Sequence, residues 1–261
     1  MDLHLSGKSA VVTGASKGIG LAIVRGLVEE GVHVVAGART ASPEITALVD
    51  GGGVDFVSVD LSDPDGPSRL VQRAVERGGL DILVNNVGAV TARPEGSGSV
   101  SDADWEQTLN LTLLAAVRTI RAALPELVRR GGGSIVTINS VNATLPDPLV
   151  IDYSAAKAAL GNFSKSLSKE VGASRVRVNT ISPGPVATAL WLGEHGVAEA
   201  VSQASGRAPA DVAAAAAAAS VTGRFTTPDE VADLVLVLAS DRFGNVTGAD
   251  IRIDGGLVQT L

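Results

Sequence analysis

The chain has 261 residues, 45% of them hydrophobic, a formal net charge of -7 and no cysteine. That size and apolar content suffice to bury a large core. The lack of cysteine excludes disulfides, thiol nucleophiles and zinc-thiolate sites, while His4, His33 and His195 are too scattered to suggest a metal cluster. The negative charge argues against a nucleic-acid partner held by a broad basic surface. No apolar run approaches the roughly 20 residues that span a membrane, and the N-terminal MDLHLSGKSAVV lacks the charged and apolar regions of a signal peptide. A cytoplasmic location is the resulting expectation.

In chain order, short β-branched apolar runs occur at Ala10–Thr13, Val32–Ala36, Val54–Val59, Ile82–Val84, Ser134–Asn139, Val176–Ile181 and Ile251–Ile253. Such runs predict strands buried on both faces. Between them, apolar residues recur at helical spacing, as in Ile19, Ala22, Ile23, Gly26 and Leu27, or Leu109, Leu113, Ala116, Val117 and Ile120. The alternation predicts an α/β, doubly wound Rossmann-type fold with a seven-stranded parallel sheet flanked by helices, forming one domain over residues 1–261. Residues 190–227 break the rhythm and contain the alanine run Ala213–Ala219, which predicts a helical insertion because alanine has the best helix propensity. An insertion just after a strand's C-terminal end lies where open α/β sheets bind ligands, so it is expected to act as a substrate lid.

The first strand runs into TGASKGIG, residues 13–20, and then directly into a helix. Glycines at 14, 18 and 20 let the backbone turn sharply and approach a pyrophosphate, and the helix's free amides attract the negative charge. The second strand leads into VVAGART, residues 34–40. Where an NAD site carries an acidic residue for the ribose 2′-hydroxyl, Ala38 stands here, followed by Arg39. Arg39 and Lys17 together suit a 2′-phosphate, so NADP(H) is the expected cofactor. Further along, the only tyrosine, Tyr153, has Lys157 four residues later, on the same helical face. An ammonium beside a phenol favours phenolate, and the expectation is a Tyr153 pKa drawn down toward neutrality.

These motifs resemble those of the short-chain dehydrogenase/reductase family, and the resemblance covers essentially the full length. TGASKGIG, Asp60 in VDL, NNVG at 85–88, Asn110, Ser140, Tyr153 with Lys157, PGPVAT at 183–188 and IDGG at 253–256 stand in the family's order. Val87 departs from it, the family more often having alanine there. The resemblance implies a cofactor site of Gly14, Ser16, Lys17, Gly18, Ile19, Gly20, Arg39, Thr40, Asp60, Leu61, Asn86, Gly88, Tyr153, Lys157, Pro183, Gly184, Val186 and Thr188. Asp60 is expected near the adenine, Asn86 and Gly88 on the adenosine side, and Val186 and Thr188 at the nicotinamide carboxamide.

It further implies hydride transfer between nicotinamide and a carbonyl or secondary alcohol, with catalytic Asn110, Ser140, Tyr153 and Lys157. Tyr153 would be the general acid or base, Lys157 would hold the nicotinamide ribose, Ser140 would donate to the substrate oxygen, and Asn110 would hold a relay water. The segments Val90–Arg93, Val141–Val150 and Ala189–Leu192 are mostly apolar, which favours a hydrophobic substrate. Trp191 is either a ring platform for substrate or packing under its own helix, and Arg93 either a partner for a substrate carboxylate or a solvated loop residue. Two other functions stay open. One is 3-oxoacyl-(acyl-carrier-protein) reduction, with Arg129, Arg130 and Arg175 receiving an acidic carrier; the other is a catalytically silent NADP(H)-binding regulator. A homotetramer is the family expectation.

Overall fold

A computed structural model describes residues 2–194 and 196–260; His195, within the insertion, and the two terminal residues lie outside the described residues. Seven parallel strands form one sheet in the order β3-β2-β1-β4-β5-β6-β7. They are β1 (Ser9–Thr13), β2 (His33–Ala38), β3 (Val54–Ser58), β4 (Ile82–Asn85), β5 (Gly133–Ile138), β6 (Val176–Pro183) and β7 (Asp250–Ile253). Each lies where a β-branched run predicts it, with ends differing by one or two residues.

Period-two alternation inside those runs supplies two cores from one sheet. Ala10 and Val12 of β1, Val34 and Ala36 of β2, and Ile82 and Val84 of β4 enter one core. Val11, Val35 and Leu83 enter the other. The first core is covered by α1 (Gly18–Glu29) and α10 (Pro228–Ala239), which contribute Ile23, Leu27, Val231 and Val235. Gly26 lets these helices approach closely, since a Cβ there would stand 3.3 Å from a Leu236 methyl. The second core is covered by α3 (Gly66–Glu76), α5 (Ala115–Arg129) and α6 (Ile151–Val171), which contribute Leu70, Ile120 and Leu167. A short helix, α2 (Pro43–Asp50), adds Ile45 to the first core.

The chain leaves β1 for β2 and β3 on one side, then returns to pair β4 along the other side of β1, with Val12 opposite Val84. This reversal of winding is the switch point at which open α/β sheets bind ligands, at the strands' C-terminal ends. Before α5, the helix α4 (Asp102–Leu109) is started by a capping box between Ser101 and Asp104 and passes into a π-helical turn over Asn110–Leu114. The insertion after β6 folds as α7 (Ala189–Leu192), α8 (Val197–Ser205) and α9 (Pro209–Ala218), and α9 takes up the alanine run. A parallel bridge between Val186 and Thr226 closes its base. No helix among the described residues is long and apolar enough to cross a membrane.

Leu27 is fully buried between α1 and the sheet. Leu27→Ala should lower the unfolding free energy by about 2–5 kcal/mol, read as a lower denaturant midpoint at unchanged slope.

Candidate active site

The glycine turn is built around positions that tolerate no side chain. Gly14 and Gly18 adopt φ of 65° and 54°, a region L-residues rarely enter. At Gly20 a Cβ would collide with the Gly14 carbonyl and lie 2.6 Å from Asn86 Nδ2. That Asn86 amide donates to the carbonyls of Thr13 (3.0 Å) and Gly14 (3.1 Å). In return, Thr13 Oγ1 accepts the backbone N–H groups of Asn86 (2.9 Å) and Val87 (3.1 Å). The loop after β4 is thereby bolted to the turn after β1. Asn86, expected on the adenosine side, spends its amide nitrogen on shaping the turn.

The helix following the turn is left ready for an anion. While α4 and α10 have side-chain capping boxes, α1 starts at Lys17 with no side chain on its free N–H groups. Such amides and the helix dipole attract negative charge. Thr188, beyond β6, reaches this turn, its methyl 3.3 Å from where a Gly18 Cβ would stand. Gly88 keeps open the space beside Lys157, a Cβ there falling 3.7 Å from Nζ. Pro183 ends β6, and Gly184 packs on Asp254, where a Cβ would come within 3.0 Å of the backbone. The residues present therefore fit a dinucleotide, with a glycine cradle, an uncapped helix and an opening that converges on Lys157.

The adenosine end is looser. Arg39, Thr40 and Lys17 are exposed, and Ser16 and Ile19 half-buried. Asp60 Oδ1 accepts from Ser62 N (2.9 Å) and Oγ (2.7 Å), bonds that, with the Arg39 charge, hold its carboxyl below the usual range. Leu61 is buried in the core beneath α3 and α5, which leaves only its backbone for a ligand.

Ser140, Tyr153 and Lys157 come together from two elements. Ser140 follows β5 in extended conformation, while Tyr153 and Lys157 are one turn apart on α6. Lys157 is 3% exposed, its Nζ donates to the Ile138 carbonyl at 2.7 Å, and it stands 5.6 Å from the Tyr153 ring centroid. Ser140 Oγ donates to Asn142 Oδ1 (3.1 Å) and accepts from Asn142 N (3.2 Å). Asn142 is a neighbour that the sequence, read for the strand-end serine alone, does not single out.

The expected fall in the Tyr153 pKa does not occur in this cleft. Burial pushes the phenol up to about 12, against a smaller opposing effect of its hydrogen bond with Ser140. Burial also pushes Lys157 down to about 8. Desolvation disfavours the charged form of each group. At neutral pH the phenol keeps its proton, the form a proton donor needs.

Asn110 sits at the start of the π-helical turn. Its Nδ2 donates to the Ser62 carbonyl (2.9 Å) and its Oδ1 accepts from Arg118 (2.6 Å). Both ends of the side chain thus fix the α4–α5 junction against the loop after β3, and the hydrogen bond of Lys157 goes to Ile138 instead. Arg93 is neither solvated nor free for a substrate carboxylate: it is paired with Asp152 (2.7 Å) and Asp104 (3.0 Å). Burial pushes the Asp152 carboxyl up, but bonds from Arg93, Thr108 and the Tyr153 amide together hold it below the usual range. Trp191 packs edge-on against Phe225 at the insertion's return, with ring centroids 5.5 Å apart. Leu145, Leu190 and Leu192 are exposed apolar residues on the segments beyond β5 and β6.

Arg129 and Arg130 precede β5, and Arg175 precedes β6. In parallel strands this places all three at the opposite end from Tyr153. Arg129 is paired with Glu126 and Arg130 with Asp81. All three lie away from this chain's own cleft.

Comparison with known proteins agrees with this fold. A short-chain dehydrogenase family model described as enoyl-(acyl carrier protein) reductase matches residues 14–258. The crystal structure of L-sorbose reductase from Gluconobacter frateurii, complexed with NADPH and L-sorbose, superposes with a TM-score of 0.92 at 35% identity, covering 100% of both chains. The cis-4-hydroxycyclohexanecarboxylate dehydrogenase of Sinomonas cyclohexanicum is 36% identical, covering 95% of each chain. The 3-oxoacyl-[acyl-carrier-protein] reductase FabG of Thermotoga maritima is 32% identical over 98% of this chain and 100% of its own. The chain belongs to the short-chain dehydrogenase/reductase family of oxidoreductases.

Because Tyr153 is the only tyrosine, alkaline absorbance near 295 nm reads this one phenol. At pH 10, where a free phenol is about half ionised, the folded protein should show little phenolate and the guanidinium-unfolded chain about half. Half-ionisation in the folded protein would contradict the upward shift.

Proposed function

We propose that the protein is an NADP(H)-dependent oxidoreductase that interconverts a small, largely apolar carbonyl compound and its secondary alcohol. The carrying observation is the convergence of Ser140, Tyr153 and the buried Lys157 at the cofactor opening beside Gly88. When bound, the nicotinamide supplies or accepts the hydride. The chain's residues manage the oxygen. In reduction, Tyr153 gives its proton to the substrate oxygen, which becomes far more basic than phenolate as it turns toward alkoxide. Ser140 donates a hydrogen bond to the same oxygen once its hydroxyl turns from Asn142, stabilising the charge that develops. Lys157, anchored by Ile138, holds the ribose and presents a positive charge to the phenolate that remains. In oxidation the proton moves the other way. Asn110 supports this arrangement from the helix junction.

Arg39 and Lys17 favour the 2′-phosphate, and the NADPH complex of the sorbose reductase supports that preference. Leu145, Leu190 and Leu192 favour an apolar substrate, with the insertion as lid. The FabG relative keeps 3-oxoacyl thioester reduction as the second reading, whereas a silent cofactor-binding regulator has no use for the assembled Ser140, Tyr153 and Lys157. A homotetramer in the cytoplasm is proposed from the family resemblance.

NADPH should bind more tightly than NADH, and Arg39→Asp should cost NADPH roughly 10–100-fold in affinity, the loss of about 1.5–3 kcal/mol from a charged hydrogen bond. Equal dissociation constants for the two cofactors would remove the NADP preference. In a carbonyl panel that includes simple ketones and a short 3-oxoacyl thioester, followed by NADPH absorbance, Tyr153→Phe should bind cofactor normally yet lose roughly 100-fold or more in turnover. Lys157→Ala should weaken both binding and turnover.

A further inference from the structure

We propose that Arg93 and Asp152 form a positioning pair that sets the orientation of Tyr153 by clamping the first turn of α6 to the loop after β4 and to α4. The inference rests on the assignment of Tyr153 as the proton-transfer group.

Asp152 immediately precedes Tyr153 and has a side chain only 1% exposed, while that of Arg93 is 13% exposed. One carboxylate oxygen, Oδ2, accepts from Arg93 at 2.7 Å and from Thr108 at 2.8 Å. The other, Oδ1, accepts the backbone N–H of Tyr153 at 3.0 Å. Arg93's second arm donates to Asp104 Oδ1 at 3.0 Å, and Asp104 is itself fixed in the capping box that starts α4. The Arg93 backbone also donates to the Leu149 carbonyl at 2.7 Å, two residues before α6 begins. Val150, the cap of α6, offers no side chain to the helix amides, so Asp152 holds the first turn that carries the phenol.

A buried ion pair adds little stability over an apolar pair of similar shape, because desolvation offsets the attraction. What a guanidinium fork does supply is direction, through hydrogen bonds of fixed geometry to two carboxylates. Here that direction is delivered to the one helical turn from which the Tyr153 ring departs. Lys157 lies a turn further along and has a separate anchor in the Ile138 carbonyl. Loss of the pair therefore displaces the phenol while leaving the lysine and the glycine turn in place. Turnover and cofactor binding should separate.

The test uses the full-length protein with Arg93→Ala, Arg93→Lys, Asp152→Asn and the neutral double variant Arg93→Met/Asp152→Leu, which leaves no buried charge unpaired. Arg93→Ala and the double variant should lower kcat roughly 10–100-fold, the scale of a small misplacement of a reacting group. Their NADPH dissociation constants should stay within about twofold of the parent. Their phenolate absorbance midpoint should move down toward that of a free phenol as the ring gains water, and Arg93→Lys should recover part of both properties. If Arg93→Ala does not fold, the double variant decides alone. A folded double variant with unchanged kcat and unchanged phenol titration overturns the proposal, as does a loss of NADPH affinity equal to the loss of kcat. Tyr153→Phe, assayed in parallel, separates the two readings. If it keeps full turnover the role of Tyr153 fails, and the phenol titration still decides whether Arg93 and Asp152 position the ring.

Discussion

The constraint on which the site depends is the join between the ends of β1 and β4. These strands are neighbours in space but are separated in sequence by two strands and three helices. Thr13 and Asn86 close the join with four hydrogen bonds, two into the Thr13 hydroxyl and two from the Asn86 amide. The glycine turn must lie flat against this amide, which is why Gly20 admits no Cβ. With the turn fixed, α1 presents its uncapped amides to the crevice, and Thr188 from beyond β6 closes on the same turn. Parallel strands bring all these loops to one edge of the sheet. A sheet with any of these strands reversed would scatter them.

Burial determines the electrostatics of Tyr153 and Lys157. The fall in phenol pKa expected from a neighbouring ammonium assumes that both groups keep enough solvation to carry their charges. In this cleft the lysine is buried and the tyrosine half-buried, so the tyrosine is held protonated and the lysine becomes a weaker base. A proton held tightly by an isolated phenol still passes readily to an incipient alkoxide, so the upward shift suits a donor in reduction. For oxidation, the positive charge of an oxidised nicotinamide is the added influence that would draw the phenol down.

The sequence was legible where a residue's role is set by its immediate neighbours or by a strong period. The seven β-branched runs identified the strands because such side chains fit a pleated sheet, but only the five inner strands are buried on both faces; the edge strands β3 and β7 are partly open. Glycines 14, 18 and 20 were legible because a tight turn into a helix excludes side chains through local sterics. The alanine run was legible because α9 relies on intrinsic propensity more than on packing. The partners of Arg93 and Asn110 were not. Arg93 meets Asp152, 59 positions away, and nothing local to either distinguishes a buried pair from two solvated charges. Asn110 reads as part of an ordinary helix, yet its carboxamide ties a π-helical turn to Ser62, 48 positions away.

By itself, then, the sequence determined the parallel sheet, the glycine turn, the family and the pairing of Tyr153 with Lys157, because periodicity, backbone sterics and i,i+4 spacing act over a few residues. Only the tertiary structure decided how solvated that tyrosine and lysine are, which carboxylates hold Arg93, and which loops share an edge with Tyr153. Those properties depend on groups far apart in the chain, brought together when the sheet reverses its winding between β1 and β4 and excludes water from what it encloses.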